Sequence, residues 1–251
     1  MDHYLLLFFA ALGAGVMNGV AGGGSFLTFP ALVFTGVPGV VANATSTVAL
    51  FPGTCASAWA YRDDFRGFGK VSFLAMLAMS VAGGLVGALL LLWLPATSFD
   101  RIVPWLLLVS SIVFYLGPRL AALLQQRFEL GSGPLLVFQF LVAIYGGYFG
   151  GAVGLMMLAM WSLFGVAEIK AMSATRVLLV SAMNSIAVIC FIVAGKVWWP
   201  QTLLMLGAAI IGGYVGVRVA RRLNPEHLRA AISVLNVVVT LAFFYRAYGP
   251  P

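Results

Sequence analysis

Val20-Ala21-Gly22-Gly23-Gly24-Ser25 interrupts a stretch of apolar residues that is otherwise long enough to form a helix. Adjacent glycines break a helix, because they lose the most backbone entropy on ordering and leave peptide groups exposed. About 128 residues later the chain reads Tyr148-Phe149-Gly150-Gly151-Ala152-Val153, again inside an apolar stretch. In a bilayer, exposed backbone is tolerated only where protein or a water-filled cavity covers it. Two broken helices in matching halves of one chain therefore point to a transport site.

The surroundings of these breaks set the class. Hydrophobic residues make up 62% of the 251 and charged residues only 8%, whereas a soluble domain is nearer half apolar and a quarter charged. The apolar runs are too long and continuous for a barrel of short alternating strands, so the expected fold is an all-α integral membrane protein. The net charge of +7 lies mostly in short loops between spans, as membrane orientation requires, and not in a nucleic-acid-binding face. Cys55 and Cys190 stand in apolar segments without a CxxC and read as small packing residues. Met1-Asp2-His3 has no basic n-region, so Tyr4–Val16 reads as a first span and not as a cleaved signal.

Apolar segments fall at about 4–21, 25–36, 40–61, 71–94, 102–118, 134–149, 152–166, 171–194, 197–217 and 228–247. The most polar stretch, Arg119–Gly133, lies mid-chain and divides a first repeat (1–118) from a second (134–251) through a linker (119–133). The repeats match in order: Gly22-Gly23 with Gly150-Gly151, Ala44-Thr45 with Ala174-Thr175, and Gly69-Lys70-Val71 with Gly195-Lys196-Val197. Gly83-Gly84-x-Val86-Gly87 matches Gly212-Gly213-x-Val215-Gly216, and Arg101 matches Arg229. Offsets stay between 126 and 130, which indicates duplication.

Charge separates two topologies. Four full spans per half would make the repeats parallel and divide the cations seven against seven. If 25–61 and 152–194 are re-entrant hairpins, each half crosses three times and the repeats are inverted. Arg62, Arg66, Lys70, Arg119, Arg127, Arg218, Arg221, Arg222 and Arg229 then share one side, against Arg101, Lys196 and Arg246 on the other. The second arrangement satisfies the positive-inside tendency and puts both termini outside the cytoplasm. The expected fold is thus two tandem helical repeats with broken or re-entrant helices, inverted with respect to each other, in a bacterial-type inner membrane.

Candidate site residues flank the breaks. In the first half they are Asn18, Gly22, Gly23, Gly24, Ser25, Asn43, Thr45, Ser46 and Thr54; in the second, Gly150, Gly151, Ser173, Thr175, Arg176, Ser181, Asn184 and Ser185. A helix that starts just after a glycine break offers free N–H groups and a positive dipole end, which together make an anion site. Small residues at close helix crossings look the same, and Ser or Thr often bond back to their own helix. Arg176 is the sharpest residue, because an intramembrane charge is expensive and its planar fork suits an oxyanion; snorkelling or pairing with Glu168 is the plain alternative. The neutral Ser46 stands at the matching place in the first half.

Enzyme chemistry has no foothold. The histidines are His3 and His227, near an end and in a loop, with no HExxH and no carboxylate dyad, so a hydrolase lacks its base. The acids Asp2, Asp63, Asp64, Asp100, Glu129, Glu168 and Glu226 are not deep in any span, so neither a metal cluster nor a buried proton relay is visible. No cofactor is expected. The expected partners are membrane lipid, a small anion and a coupling proton or other ion; a passive anion channel and a non-transporting scaffold remain alternatives, and the oligomeric state cannot be read.

Gly13-Ala14-Gly15-x3-Gly19-x-Ala21-Gly22-Gly23-Gly24-Ser25-Phe26-Leu27-Thr28-Phe29-Pro30, with Gly36-Val37-Pro38 and Ala42-Asn43-Ala44-Thr45-Ser46, resembles the TauE/SafE sulfite-exporter family of permeases. Tyr145-Gly146-Gly147-Tyr148-Phe149-Gly150-Gly151-Ala152-Val153-Gly154 with Ala174-Thr175-Arg176-x7-Asn184 is similar to that family's second repeat. The second half departs from the pattern in having no proline matching Pro30, and Ala152 where a third glycine is usual. The resemblance implies secondary transport of sulfite, sulfonates or related small organic anions.

Overall fold

The computed structural model describes residues 2–20, 23–60, 71–124, 132–163, 169–220 and 225–249. Among these the chain forms ten α-helices and no strand: α1 (Asp2–Val20), α2 (Ser25–Phe34), α3 (Gly39–Ala60), α4 (Phe73–Trp93), α5 (Ala96–Leu124), α6 (Ser132–Tyr148), α7 (Val153–Leu163), α8 (Ile169–Val193), α9 (Trp199–Ala220) and α10 (Pro225–Tyr248). Each falls on one of the ten apolar segments. The fold is an all-α membrane fold, and Phe73–Trp93, Ala96–Val113 and Ala174–Val193 are long and apolar enough to cross a membrane.

Two boundaries differ from those read in the sequence. Helix α5 starts at Ala96, inside the polar break 95–101, because Pro95 precedes the first turn and its carbonyl accepts the Ser98 and Phe99 amides at 2.9 and 3.2 Å. It also runs on to Leu124, into the expected linker, since residues 119–124 contain good helix formers and no helix breaker beyond Pro118. The expected hairpins consist of one short and one long arm each. α2 has 10 residues and α3 has 22, so the arms are roughly 15 and 33 Å long at 1.5 Å per residue. α7 and α8 repeat this with 11 and 25 residues.

The halves interlock. α1 packs on α9, and α4 on α6; α3 packs on α9, and α4 on α8; α5 packs on α7, and α2 on α10. Each pair becomes another under exchange of the two halves. The mates α5 and α10 touch and run antiparallel, and α3 touches its mate α8. Between α5 and α10, Trp105 Nε1 donates to Tyr248 Oη at 3.2 Å, while Ser111 and Thr240 hydroxyls meet at 3.3 Å two turns further along α5. Between α3 and α8, Ser181 donates to the Thr54 carbonyl at 3.0 Å.

Glycines permit the two tightest crossings. A Cβ on Gly15 of α1 would overlap the Ala209 carbonyl of α9, and one on Gly212 the Leu12 carbonyl. In the mirrored crossing a Cβ on Gly87 of α4 would overlap the Ile144 carbonyl of α6, and one on Gly147 the Gly84 carbonyl. The duplicated Gly-Gly-x-Val-Gly motif therefore serves backbone approach, the arrangement by which membrane helices gain packing without a hydrophobic driving force.

One end of the bundle collects both termini. Tyr248 Oη donates to the Arg101 carbonyl at 2.9 Å, Arg246 Nη1 to the Val33 carbonyl at 3.4 Å, and His3 shares a cavity with Thr35, Val37, Trp198 and Gln201. Below this terminal face Phe29 of α2 meets α5, α10 and the second break, with ring centroids 6.1 Å from Phe99, 5.5 Å from Phe243 and 5.5 Å from Phe149. Phe29 and Phe99 are fully buried in this cluster and Phe149 nearly so.

Candidate functional site

Both glycine breaks face one central cavity of about 120 Å³. A single ordered water needs roughly 10–15 Å³ of such space, so the cavity has room for several waters or one small anion. Its wall is mostly apolar, from Leu50, Val153, Leu155, Val177 and Val180, and carries a limited set of polar groups. Asn18 and Gly23 come from the first break, Ser25 from the start of α2, and Thr47, Thr54 and Ser57 from α3. Gly150, Ala152 and Gly154 come from the second break and the start of α7, and Arg176 and Asn184 from α8.

The first break is braced from within its own half. Asn18 Oδ1 accepts the Gly24 amide at 2.8 Å, so one of the orphan donors at the start of α2 is already satisfied. Gly23 has φ +100°, and a Cβ there would also press on the Phe26 ring at 3.1 Å. Gly24 sits against the Ala14 carbonyl, where a Cβ would stand at 2.7 Å. Gly22 lies outside the described residues.

The second break is braced differently. The Gly151 carbonyl accepts from Tyr145 Oη at 2.9 Å and from Ser110 Oγ at 3.3 Å, and the Tyr145 and Ser110 hydroxyls also touch each other. Asn43 Nδ2 donates to the Tyr148 carbonyl at 3.0 Å, tying the end of α6 to the first half. Gly150 has φ +79°, and Ala152, where a third glycine would match, also takes a left-handed φ of +55°. Its mate Gly24 is right-handed at −55°, so the two breaks share a sequence pattern and not a backbone path.

This difference has a measurable consequence. A left-handed non-glycine residue costs roughly 1–2 kcal/mol, part of which a glycine returns through its freer unfolded chain. Ala152→Gly is expected to raise stability by about 0.5–1 kcal/mol, and Gly23→Ala to lower it by about 1–2 kcal/mol. Thermal melts of the purified protein in detergent check both; a lower melting temperature for Ala152→Gly would refute the strain.

Of the residues expected at the site, Asn18, Gly23, Ser25, Thr54, Gly150, Arg176 and Asn184 line the cavity. Several of the other described ones make contacts of their own elsewhere. Thr45 Oγ1 accepts the Trp198 amide at 3.1 Å, Ser46 Oγ pairs with Thr28 Oγ1 at 2.6 Å, and Thr175 Oγ1 is buried without a partner. Asn43 and Gly151 act as braces, as above. Thr47 and Ser57 line the cavity without having been expected there, although Thr47, Leu50, Thr54 and Ser57 follow the spacing of a single helix face. Ser110 and Tyr145 lie far apart in sequence, and their partnership exists only in three dimensions.

Chemically the cavity is suited to negative charge. Helices α2 and α7 both start at it, with their positive dipole ends there; the Phe26, Leu27 and Leu155 amides already bond the Gly23, Gly24 and Ala152 carbonyls, so the dipole and not a row of free amides supplies the field. Arg176 is the charged residue among the described lining residues, and its aliphatic stem lies against Gly154, where a Cβ would stand 3.0 Å from Cδ. Gly154 thus leaves the room that Arg176 occupies. No cluster of His, Cys, Asp or Glu suited to a metal occurs among the described residues. Glu168, the acid nearest Arg176 in sequence, lies outside them.

The model of the family described as sulfite exporter TauE/SafE matches residues 7–243. The chain is 30% identical over 245 residues to the probable membrane transporter protein YfcA of Escherichia coli K12, covering 97% of this chain and 90% of that protein. It is 30% identical over 247 residues to the probable membrane transporter protein ORF9 of a Sinorhizobium species, covering 98% and 92%. A probable membrane transporter protein of Haemophilus influenzae is 27% identical over 248 residues, covering 98% and 96%. No solved structure matches the chain.

Proposed function

Given that the chain belongs to the sulfite exporter TauE/SafE family and is a multi-pass membrane transporter, we propose that it carries a small sulfur-containing anion, such as sulfite or an organosulfonate. The observation that carries this reading is the convergence of two helix starts and Arg176 on a single cavity. The substrate's oxyanion would lie near Arg176 and the positive ends of α2 and α7, with Asn18, Ser25 and Asn184 as neutral donors. The apolar wall would meet an organic substituent. A carrier fits better than a channel, because the central cavity is separate from the one at the terminal face.

Orientation follows from the same ends. The antiparallel mates support inverted repeats, and inverted repeats put most cations on the face away from the termini. We place that face in the cytoplasm of a bacterial-type inner membrane, with both termini outside.

A thermal-shift screen over sulfite, thiosulfate, sulfonates and small carboxylates tests the reading, since a ligand at 100 times its Kd stabilises by roughly 2.7 kcal/mol. A sulfur oxyanion or sulfonate is expected to raise the melting temperature and to be taken up by proteoliposomes with trans-stimulated exchange. Stabilisation by carboxylates alone would overturn the substrate class, and large ohmic currents without exchange would overturn the carrier.

A further inference from the structure

We propose that Thr45 and Thr175 are two alternately closing latches of the transport cycle. In the present state Thr45 holds the start of α9; in the opposite-facing state Thr175 holds the start of α4. The inference rests on the carrier reading above.

The two threonines are mates in the duplicated Ala-Thr pairs, 44–45 and 174–175. The helices they would hold are mates as well, since α4 and α9 start directly after Ser72 and Trp198, two residues beyond the Gly-Lys-Val motif's lysine in each half. In one half the bond is made: the Trp198 amide donates to Thr45 Oγ1 at 3.1 Å. In the other half Thr175 is only 1% exposed and its hydroxyl oxygen has no partner. Native structures satisfy almost all buried polar groups, so an orphan whose mate is satisfied marks a bond made in another state. Inverted repeats supply that state, because alternating access rocks one set of elements against the other around a fixed site. Exchanging the conformations of the two halves transfers the Thr45 bond to Thr175.

The cavities place the closed latch where a barrier is needed. Along α3 and the turn before it, Val37 walls the terminal cavity of about 240 Å³ and Thr47 walls the central one. Asn43, Thr45 and Ser46 stand between them, all buried. Trp198, whose amide is latched, also walls the terminal cavity. Release of Thr45 would therefore free a wall of the terminal cavity.

Hydrogen exchange of the reconstituted full chain, without added substrate, tests this at the two helix starts. One net hydrogen bond shifts such an equilibrium roughly two- to tenfold. Thr45→Val is expected to speed exchange at Trp198 by that factor and to slow it at Ser72; Thr175→Val is expected to slow it at Trp198 and speed it at Ser72. Thr45→Ser and Thr175→Ser keep the acceptor and should exchange like the unaltered protein. A purely structural Thr45 would lose protection at Trp198 without any gain at Ser72, and that result would overturn the proposal. The two readings fail separately. Opposed shifts without uptake of any sulfur anion would leave the latches standing and remove the substrate class. Uptake without opposed shifts would do the reverse.

Discussion

Arg176→Ala is expected to abolish saturable anion uptake into proteoliposomes while the protein still folds. Each charge-assisted hydrogen bond contributes roughly 1.5–3 kcal/mol, so losing one or two weakens binding by about tenfold to more than a hundredfold. The fold should survive because the substitution removes a charge that is costly to place in a membrane. Arg176→Lys keeps a point charge without the planar fork and is expected to retain weak uptake. Gly154→Ala supplies an independent check. It leaves the charge in place but puts a methyl 3.0 Å from Arg176 Cδ, so it should raise KM more than it lowers the folded yield. Unchanged uptake by Arg176→Ala, with an unchanged melting temperature, would remove the arginine from the site.

Gly87→Val and Gly15→Val are expected to cost the most stability of any substitution considered. A Cβ on Gly87 meets not only the Ile144 carbonyl but also the Tyr148 amide, at 2.7 Å; one on Gly15 meets the Gly213 amide at 2.7 Å. Both obstacles are helix backbone, which cannot rotate out of the way as a side chain does. Overpacking usually costs about 1–3 kcal/mol, occasionally more, and a branched side chain between two backbones belongs at or above the upper end. The expected outcome is a collapse of the monodisperse peak in size-exclusion chromatography. The two crossings share no residues, so milder Gly15→Ala and Gly87→Ala changes should add when combined. By contrast Gly207 and Gly53 border open space, and Gly207→Ala should leave the elution profile unchanged.

The contrast between these glycines shows where sequence reading reached its limit. Glycines stand at both the breaks and the crossings, because both need a missing Cβ. Only the packed helices separate them: Gly23 and Gly150 take left-handed backbone beside a cavity, while Gly15 and Gly87 remain helical against a neighbour's carbonyl. Hydroxyls behaved likewise. Thr45, Ser46 and Thr175 stand beside the cavity-lining residues in sequence, yet none of them lines it: the Thr45 and Ser46 oxygens are bonded elsewhere and the Thr175 oxygen is buried without a partner, while Thr47, one residue beyond Ser46, lines it. A shift of one residue turns a helix side chain by about 100°, which sequence proximity does not register.

From the sequence alone came the all-helical membrane class, the ten helical segments, the two breaks and the intramembrane arginine. These follow from local physics: apolar run length, helix-breaking glycines and the cost of a charge in lipid. The tertiary structure decided that both breaks open on the same cavity, that Tyr145 and Ser110 hold one of them, and that Thr45 is satisfied while Thr175 is not. Those facts depend on contacts between residues up to 153 positions apart, and such contacts are set by how helices from different halves pack, which no local pattern in the chain encodes.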